Sequence, residues 1–203
     1  MSVVIFIASV GKRIKTDIPK VVHRHESTHP LPEILDKQKH IMNVLFCADP
    51  HLGHKNIHKF RDAVTSPEHN TRLFRREARA KLNKRTITFY LGDIAFDEES
   101  LDVIKELPGR KILIKGNHDD MTTTAAQLEA FEEIHGMFRY KKMWLTHAPI
   151  HPQQLFGMLN VHGHVHNKTV TRWGRPDKRY LNLCPDVQGQ YFTTLEEVRK
   201  LRP

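Results

Sequence analysis

The sequence predicts an α/β fold, and two observations carry that expectation. From residue 43 onward, short runs rich in Val, Ile, Leu and Phe alternate with segments whose apolar residues recur three or four apart. The apolar runs end in Gly, Asp, Asn, His or Pro, as buried strands do where they turn into loops. Strands are expected at residues 43–48, 86–91, 111–115, 143–147, 159–162 and 180–183. Between them, residues 71–84 place Phe74, Ala78 and Leu82 on one helical face. Residues 98–107 do the same with Leu101, Ile104 and Leu107, and residues 123–134 with Leu128, Phe131 and Ile134. A last helix opens with the capping box Thr194-Leu195-Glu196-Glu197 and runs through Val198 and Leu201. This βα alternation implies sheets whose faces are covered by helices.

Residues 1–42 read differently. A short apolar start at residues 2–10 gives way to a polar run with Pro19, Pro30 and Pro32 and no strong periodicity. We expect an N-terminal extension, partly disordered, ahead of one domain at 43–203. Its histidines, His23, His25, His29 and His40, have the spacing of no closed metal site. The apolar start lacks a leading basic region and a small-residue cleavage site, so it is a poor secretory signal. No apolar run approaches the length of a membrane span. Cys47 and Cys184 are the two cysteines, each inside an apolar run, and they read as buried and reduced. A cytoplasmic protein is expected.

The chain carries fifteen histidines and a net charge of +9. A basic surface attracts polyanions, so nucleotides and nucleic acid are candidate partners. The histidines that matter are organised. The strand expected at 43–48 ends in Asp49-Pro50-His51, the next in Gly92-Asp93, and the third in Gly116-Asn117-His118-Asp119. The fourth ends in His147 and the fifth in Gly163-His164-Val165-His166. Any one of these fits an ordinary turn. Their succession at strand C-terminal ends, where α/β sheets bind ligands, makes the set specific.

The series D-x-H, G-D, G-N-H-D, H and G-H-x-H resembles the calcineurin-like metallophosphoesterases, with every block present in that family's order across about residues 43–190. The resemblance implies a four-layer α-β-β-α sandwich of the metallophosphoesterase type. It further implies two divalent metal ions that activate water for attack on a phosphate ester. By resemblance, Asp49, His51 and His166 hold one ion, Asn117, His147 and His164 the second, and Asp93 bridges them. Carboxylate, imidazole and carboxamide donors suit Mn²⁺ first, with Fe²⁺, Zn²⁺ or Ni²⁺ as alternatives. The resemblance makes His118 the general acid at the leaving oxygen, oriented by Asp97, Asp119 or Asp120. His54 reads equally as a substrate contact and as a loop histidine. His51-Leu52-Gly53-His54-Lys55-Asn56-Ile57 and the segment from Asn182 to Val187 look like a small branch of the superfamily.

The expected reaction is hydrolysis of a phosphodiester, with a phosphomonoesterase or small nuclease as alternatives using the same site. Nucleotide, cyclic nucleotide and nucleic acid are the candidate substrates. DNA-repair relatives carry an added capping domain, for which the chain after the last motif is too short. Two rivals come from other classes. A non-catalytic scaffold conflicts with a complete ligand set, because seven polar groups buried together without metal are costly. A nucleic-acid-binding protein would use residues 71–85, which carry Arg72, Arg75, Arg76, Arg79, Lys81, Lys84 and Arg85 against Glu77. That stripe has no interleaved aromatic residue and also fits a solvated helix face.

Overall fold

A computed structural model describes residues 43–201; the expected extension at 1–42 lies outside them. The first half of this region is a succession of βα units. Strand β1 (Val44–Cys47) leads through α1 (Pro67–Lys81) to β2 (Ile87–Tyr90), then α2 (Glu98–Lys105), β3 (Arg110–Ile114), α3 (Thr124–Ala130) and β4 (Glu133–His135). The second half adds β5 (Met137–Tyr140), β6 (Met143–Thr146), β7 (Leu159–His162), β8 (Thr171–Arg172), β9 (Arg175–Pro176) and β10 (Tyr180–Asn182). The short α4 (Pro185–Gln188), β11 (Thr193–Thr194) and α5 (Leu195–Lys200) complete it.

Two larger sheets result. One is five-stranded in the order β11-β1-β2-β3-β4, the other four-stranded in the order β10-β7-β6-β5. β1 to β4 run parallel, with β11 antiparallel at one edge. β10, β7 and β6 are parallel, with β5 antiparallel. Alternation along β1 divides the interior, because successive side chains point to opposite faces. Leu45 and Cys47 join Phe74 and Ala78 of α1, Leu101 and Ile104 of α2, and Ala126 and Ala130 of α3. Val44 and Phe46 join Leu145 of β6, Val161 of β7 and Leu181 of β10. The structure is therefore helices on sheet on sheet, the α/β sandwich expected. The outer side of the second sheet is met by the segment between β6 and β7, where the Tyr180 hydroxyl donates to the Ile150 carbonyl at 2.7 Å.

Local chemistry accounts for most boundaries. α1 begins earlier than its apolar face suggests, because Ser66 caps it by accepting the His69 N–H and Pro67 occupies its first turn. α2 is capped by Asp97, and α5 has both arms of the capping box between Thr194 and Glu197. The helix expected over 123–134 stops at Ala130. Phe131 leaves the helix to pack edge-on against Tyr90 at 5.3 Å, and Ile134 enters β4 beside β3. Leu128, expected on the buried face, is exposed. Both cysteines are buried and unpaired.

Candidate metal centre

Every sequence-predicted ligand lies past the C-terminal end of a strand, and the two sheets bring these ends together. The β1–β2 pairing continues into the loops that bear them. The Asp49 N–H donates to the Gly92 carbonyl at 3.2 Å, His51 N–H to Asp93 at 3.2 Å and Leu52 N–H to Ile94 at 2.9 Å. Asp49, His51, Asp93, His164 and His166 all have positive φ, between 49° and 69°. Non-glycine residues rarely adopt that conformation, and it recurs where surrounding structure over-determines a functional site. Gly163 permits a close approach here, since a β-carbon on it would collide with the Asp49 carboxylate.

The donors form two groups. Asp49, His51 and His166 make one, Asp93, His147 and His164 the other, with the ligand atoms of each within 4.8 Å of one another. Asn117 Oδ1 joins the second group, 2.9 Å from His147 Nε2. One oxygen of Asp93 lies between the groups, 3.5 Å from His51 Nε2 and 3.3 Å from His147 Nε2. Burial alone would raise the Asp93 carboxyl, but His147, His51 and the His118 N–H hold it well below the usual range.

This arrangement fits metal ions, and the structure supplies its own test. His51 Nε2 is buried without a hydrogen-bond partner, although buried polar atoms are rarely left so. The His147 tautomer makes the same point. Its Nδ1 donates to the Leu91 carbonyl at 2.8 Å, which leaves a lone pair on Nε2. That lone pair meets Asn117 Oδ1, Asp93 Oδ2 and, at 3.1 Å, His164 Nδ1. Four electron-rich atoms around one point require a shared proton or a cation. His147 is burdened by burial but raised on balance by Asp93, while burial and then His147 lower His164.

Residues that the sequence reading did not single out hold this arrangement in place. The Arg61 guanidinium is buried and grips both Asp186 oxygens at 3.2 Å, while also donating to the Asp49 carbonyl at 3.0 Å. Asn70 of α1 donates to the Pro50 carbonyl at 2.9 Å and accepts from Arg61 and from the Tyr191 hydroxyl. The Asp49-Pro50-His51 turn thus hangs from two side chains. Asp186 also faces His166 Nδ1 at 3.3 Å, which raises the imidazole and leaves Nε2 as the nitrogen not engaged by Asp186. The Cys184 thiol donates to Asp49 at 3.2 Å, so this cysteine is more than core filling. Asp186 and Cys184 both fall in the segment from Asn182 to Val187. The others are invisible to local pattern: Arg61 and Asp186 are 125 positions apart.

Asp186 makes a testable case. Burial opposes its charge, but His166 and Arg61 hold its carboxyl well below the ordinary range. A depressed folded-state pKa contributes stability above the unfolded value, about 3.9, and that contribution is lost as pH falls below it. Asp186→Asn should therefore cost about 3 kcal/mol at pH 7, by leaving Arg61 uncompensated. The difference from wild type should shrink near pH 3, and denaturant unfolding in chelator at both pH values measures it. An equal difference at both would contradict the assignment. Metal affinity should also fall about 10- to 100-fold.

The aspartates expected to orient His118 have other roles. Asp119 is buried and accepts N–H groups from Asp93, Ile94 and Gly116, tying the second and third strand-end loops together. Asp97 caps α2 and Asp120 pairs with Lys115. The His118 ring instead stacks on Phe96, centroids 5.0 Å apart, and lies 6.0 Å from the His51 ring. His118 and His54 line a cavity of about 970 Å³ that reaches from His51, His164 and His166 past Phe60, Val64, Leu73 and Tyr191. From α1 only Leu73 lines it. Of the basic stripe, Arg75 pairs with Glu106, and Lys81 with Glu77 and the Phe192 carbonyl.

An α/β sandwich with nitrogen and oxygen donors converging past its strand ends defines a metal-binding protein of the phosphoester-hydrolysing kind. The chain belongs to the calcineurin-like phosphoesterase family, whose sequence profile matches residues 42–203. It is similar to the gene 66 protein of Mycobacterium phage D29, 28% identical over 78% of this chain and 95% of that one. A solved structure of a protein of unknown function from Aquifex aeolicus shares the fold, with TM-score 0.60, 24% identity and coverage of 78% of this chain and 98% of that chain. A nuclease from Pseudomonas putida matches more loosely, with TM-score 0.46, 20% identity and 65% of each chain, too little to bear on activity. Among the described residues no helix is long and apolar enough to cross a membrane.

Proposed function

We propose that the protein hydrolyses a phosphodiester with two divalent ions, Mn²⁺ foremost, held in a single domain at 43–203 that works in the cytoplasm. Asp49, His51 and His166 hold one ion, Asn117, His147 and His164 the other, and Asp93 spans both. The observation that carries this reading is the single Asp93 oxygen poised between the His51 and His147 nitrogens. Two divalent ions held by these residues would lower the pKa of water toward neutrality and offset charge on attacking and leaving oxygens.

The chain's own residues do the rest. The Asp119 brace and the Arg61–Asn70 suspension fix the ligand loops before substrate arrives, so little reorganisation is needed. Among the described residues the His118 side chain makes no hydrogen bond, and the Phe96 ring holds it at the cavity wall. From there its imidazole gives a proton to the leaving oxygen. The Asn56 N–H donates to His54 Nδ1 at 3.2 Å, which makes Nε2 the protonated nitrogen of neutral His54. That N–H is available to a non-bridging phosphate oxygen. The apolar stretch of Phe60, Val64 and Leu73 gives an organic substituent a place beside the phosphate, which favours a diester over a small monoester.

The test is metal reconstitution. Protein stripped with chelator is given Mn²⁺, Ni²⁺, Zn²⁺ or Mg²⁺ singly and assayed on an aryl phosphodiester and an aryl phosphomonoester. Turnover restored by Mn²⁺, and faster on the diester, is expected. Faster monoester hydrolysis would reverse the substrate preference, and a protein that binds no ion would remove the hydrolytic reading.

A further inference from the structure

The ribbon β8–β9 stands apart from both large sheets. Thr171 pairs with Pro176 and Arg172 with Arg175, leaving Trp173-Gly174 as a two-residue tip. Both tip residues have positive φ, 51° and 74°, the conformation of a type I′ turn. Asn, Asp or Gly normally fills the first of these positions, whereas a bulky side chain there is an outlier. Trp173 is moreover 87% exposed. Among the described residues its ring meets only the Arg172 guanidinium, 4.1 Å from the centroid. A large apolar ring is held out in solvent, in a backbone conformation that disfavours it, with nothing in the fold gained by its presence.

The base of the ribbon, by contrast, is fastened. The Asp177 N–H donates to the Val170 carbonyl at 2.8 Å, and the Asn182 amide donates to the carbonyls of His166 and Lys168 at 2.6 and 3.1 Å. The ribbon thus grows directly from the His164-Val165-His166 loop, and Asn167 and Lys168 line the same cavity as those histidines. Trp173 is five residues beyond Lys168, so it lies within about 18 Å of the cavity rim. Its charge is one-sided: Lys168, Arg172, Arg175, Lys178 and Arg179 against Asp177. Asp177 is already clamped by Arg179.

We propose that this ribbon is an arm for single-stranded nucleic acid. Trp173 stacks on an unpaired base, Arg172, Arg175 and Lys178 meet phosphates, and Lys168 leads the strand toward the metal donors. Every base offers a π-face, so the grip needs no particular sequence. An exposed tryptophan beside arginines would also suit an anionic membrane. Continuity with a phosphoester site, and cationic residues along the path into it, favour the polynucleotide. The inference rests on the hydrolytic reading above, and the two can fail separately.

The full chain, in chelator to prevent cleavage, is titrated with a fluorescent oligothymidylate and with anionic phospholipid vesicles. Trp173→Ala should weaken strand binding about 5- to 150-fold, the range of a lost base stack, and Trp173→Phe should recover most of it. Arg172→Ala with Arg175→Ala should lower the salt dependence of binding by about one to two counterions. Mn²⁺-dependent turnover of the aryl diester should be unchanged in Trp173→Ala. Strand binding equal to wild type in Trp173→Ala would overturn the proposal, as would tryptophan-dependent binding of vesicles but not of the strand. Tryptophan-dependent strand binding without any diester turnover would uphold the arm and remove only the hydrolytic reading.

Discussion

Asp93→Asn should lower phosphodiester turnover by more than about 100-fold, beyond the loss typical of residues that only support metal ligands. The substitution changes almost nothing in shape. The Asp93 N–H can still donate to Asp119, and an amide oxygen can still accept the His118 N–H that Oδ1 accepts at 2.8 Å. It removes the charge and replaces Oδ2, the atom facing both His51 and His147, by a donor that cannot bind a cation. Two measurements check this: metal content after dialysis against Mn²⁺, and turnover on the aryl diester. A variant that keeps both ions and full activity would sink the bridging role.

His118→Ala should reduce turnover about 10²- to 10⁴-fold with metal content unchanged. The imidazole belongs to neither donor group, and alanine retains the backbone N–H that holds Asp93. If the ring supplies a proton to the leaving oxygen, the loss depends on that oxygen's need for one. A nitrophenyl diester, whose leaving group departs unprotonated, should show a smaller defect than an alkyl diester. Equal defects on both would mean that His118 binds the phosphate and transfers no proton.

The parts of this site legible in the sequence are those that chemistry concentrates locally. Asp49, His51, Asp93, Asn117, His147, His164 and His166 each follow a short apolar run, and a buried strand delivers its next polar residue to the sheet edge. The capping box made the helix start at Thr194 equally readable, whereas the Asp97 cap of α2 went unread. Nothing local announces that Arg61, Asn70 and Tyr191 suspend the first ligand turn, because the contacts join distant positions. The helix over 123–134 misled for a related reason. Phe131 and Ile134 keep helical spacing, but Phe131 is taken by Tyr90 and Ile134 by the edge of β3. The basic residues of α1 drew attention as a polyanion surface, yet Arg75 and Lys81 are spent on ion pairs, while the exposed Trp173 sits on a two-stranded ribbon too short to show a period.

Each donor group draws on both sheets. Asp49 and His51 follow β1 and meet His166 beyond β7, while Asp93 follows β2 and meets His147 beyond β6 and His164 beyond β7. Ions bound there would rivet one sheet to the other, so chelation and sheet docking become linked equilibria. Mass action then sets the size of the effect, about 2.7 kcal/mol for each ion present at a hundred times its dissociation constant. A cell short of the metal would hold less of the folded protein as well as less active protein, because unfolded chains are removed continuously. Abundance would become a gauge of the ion supply.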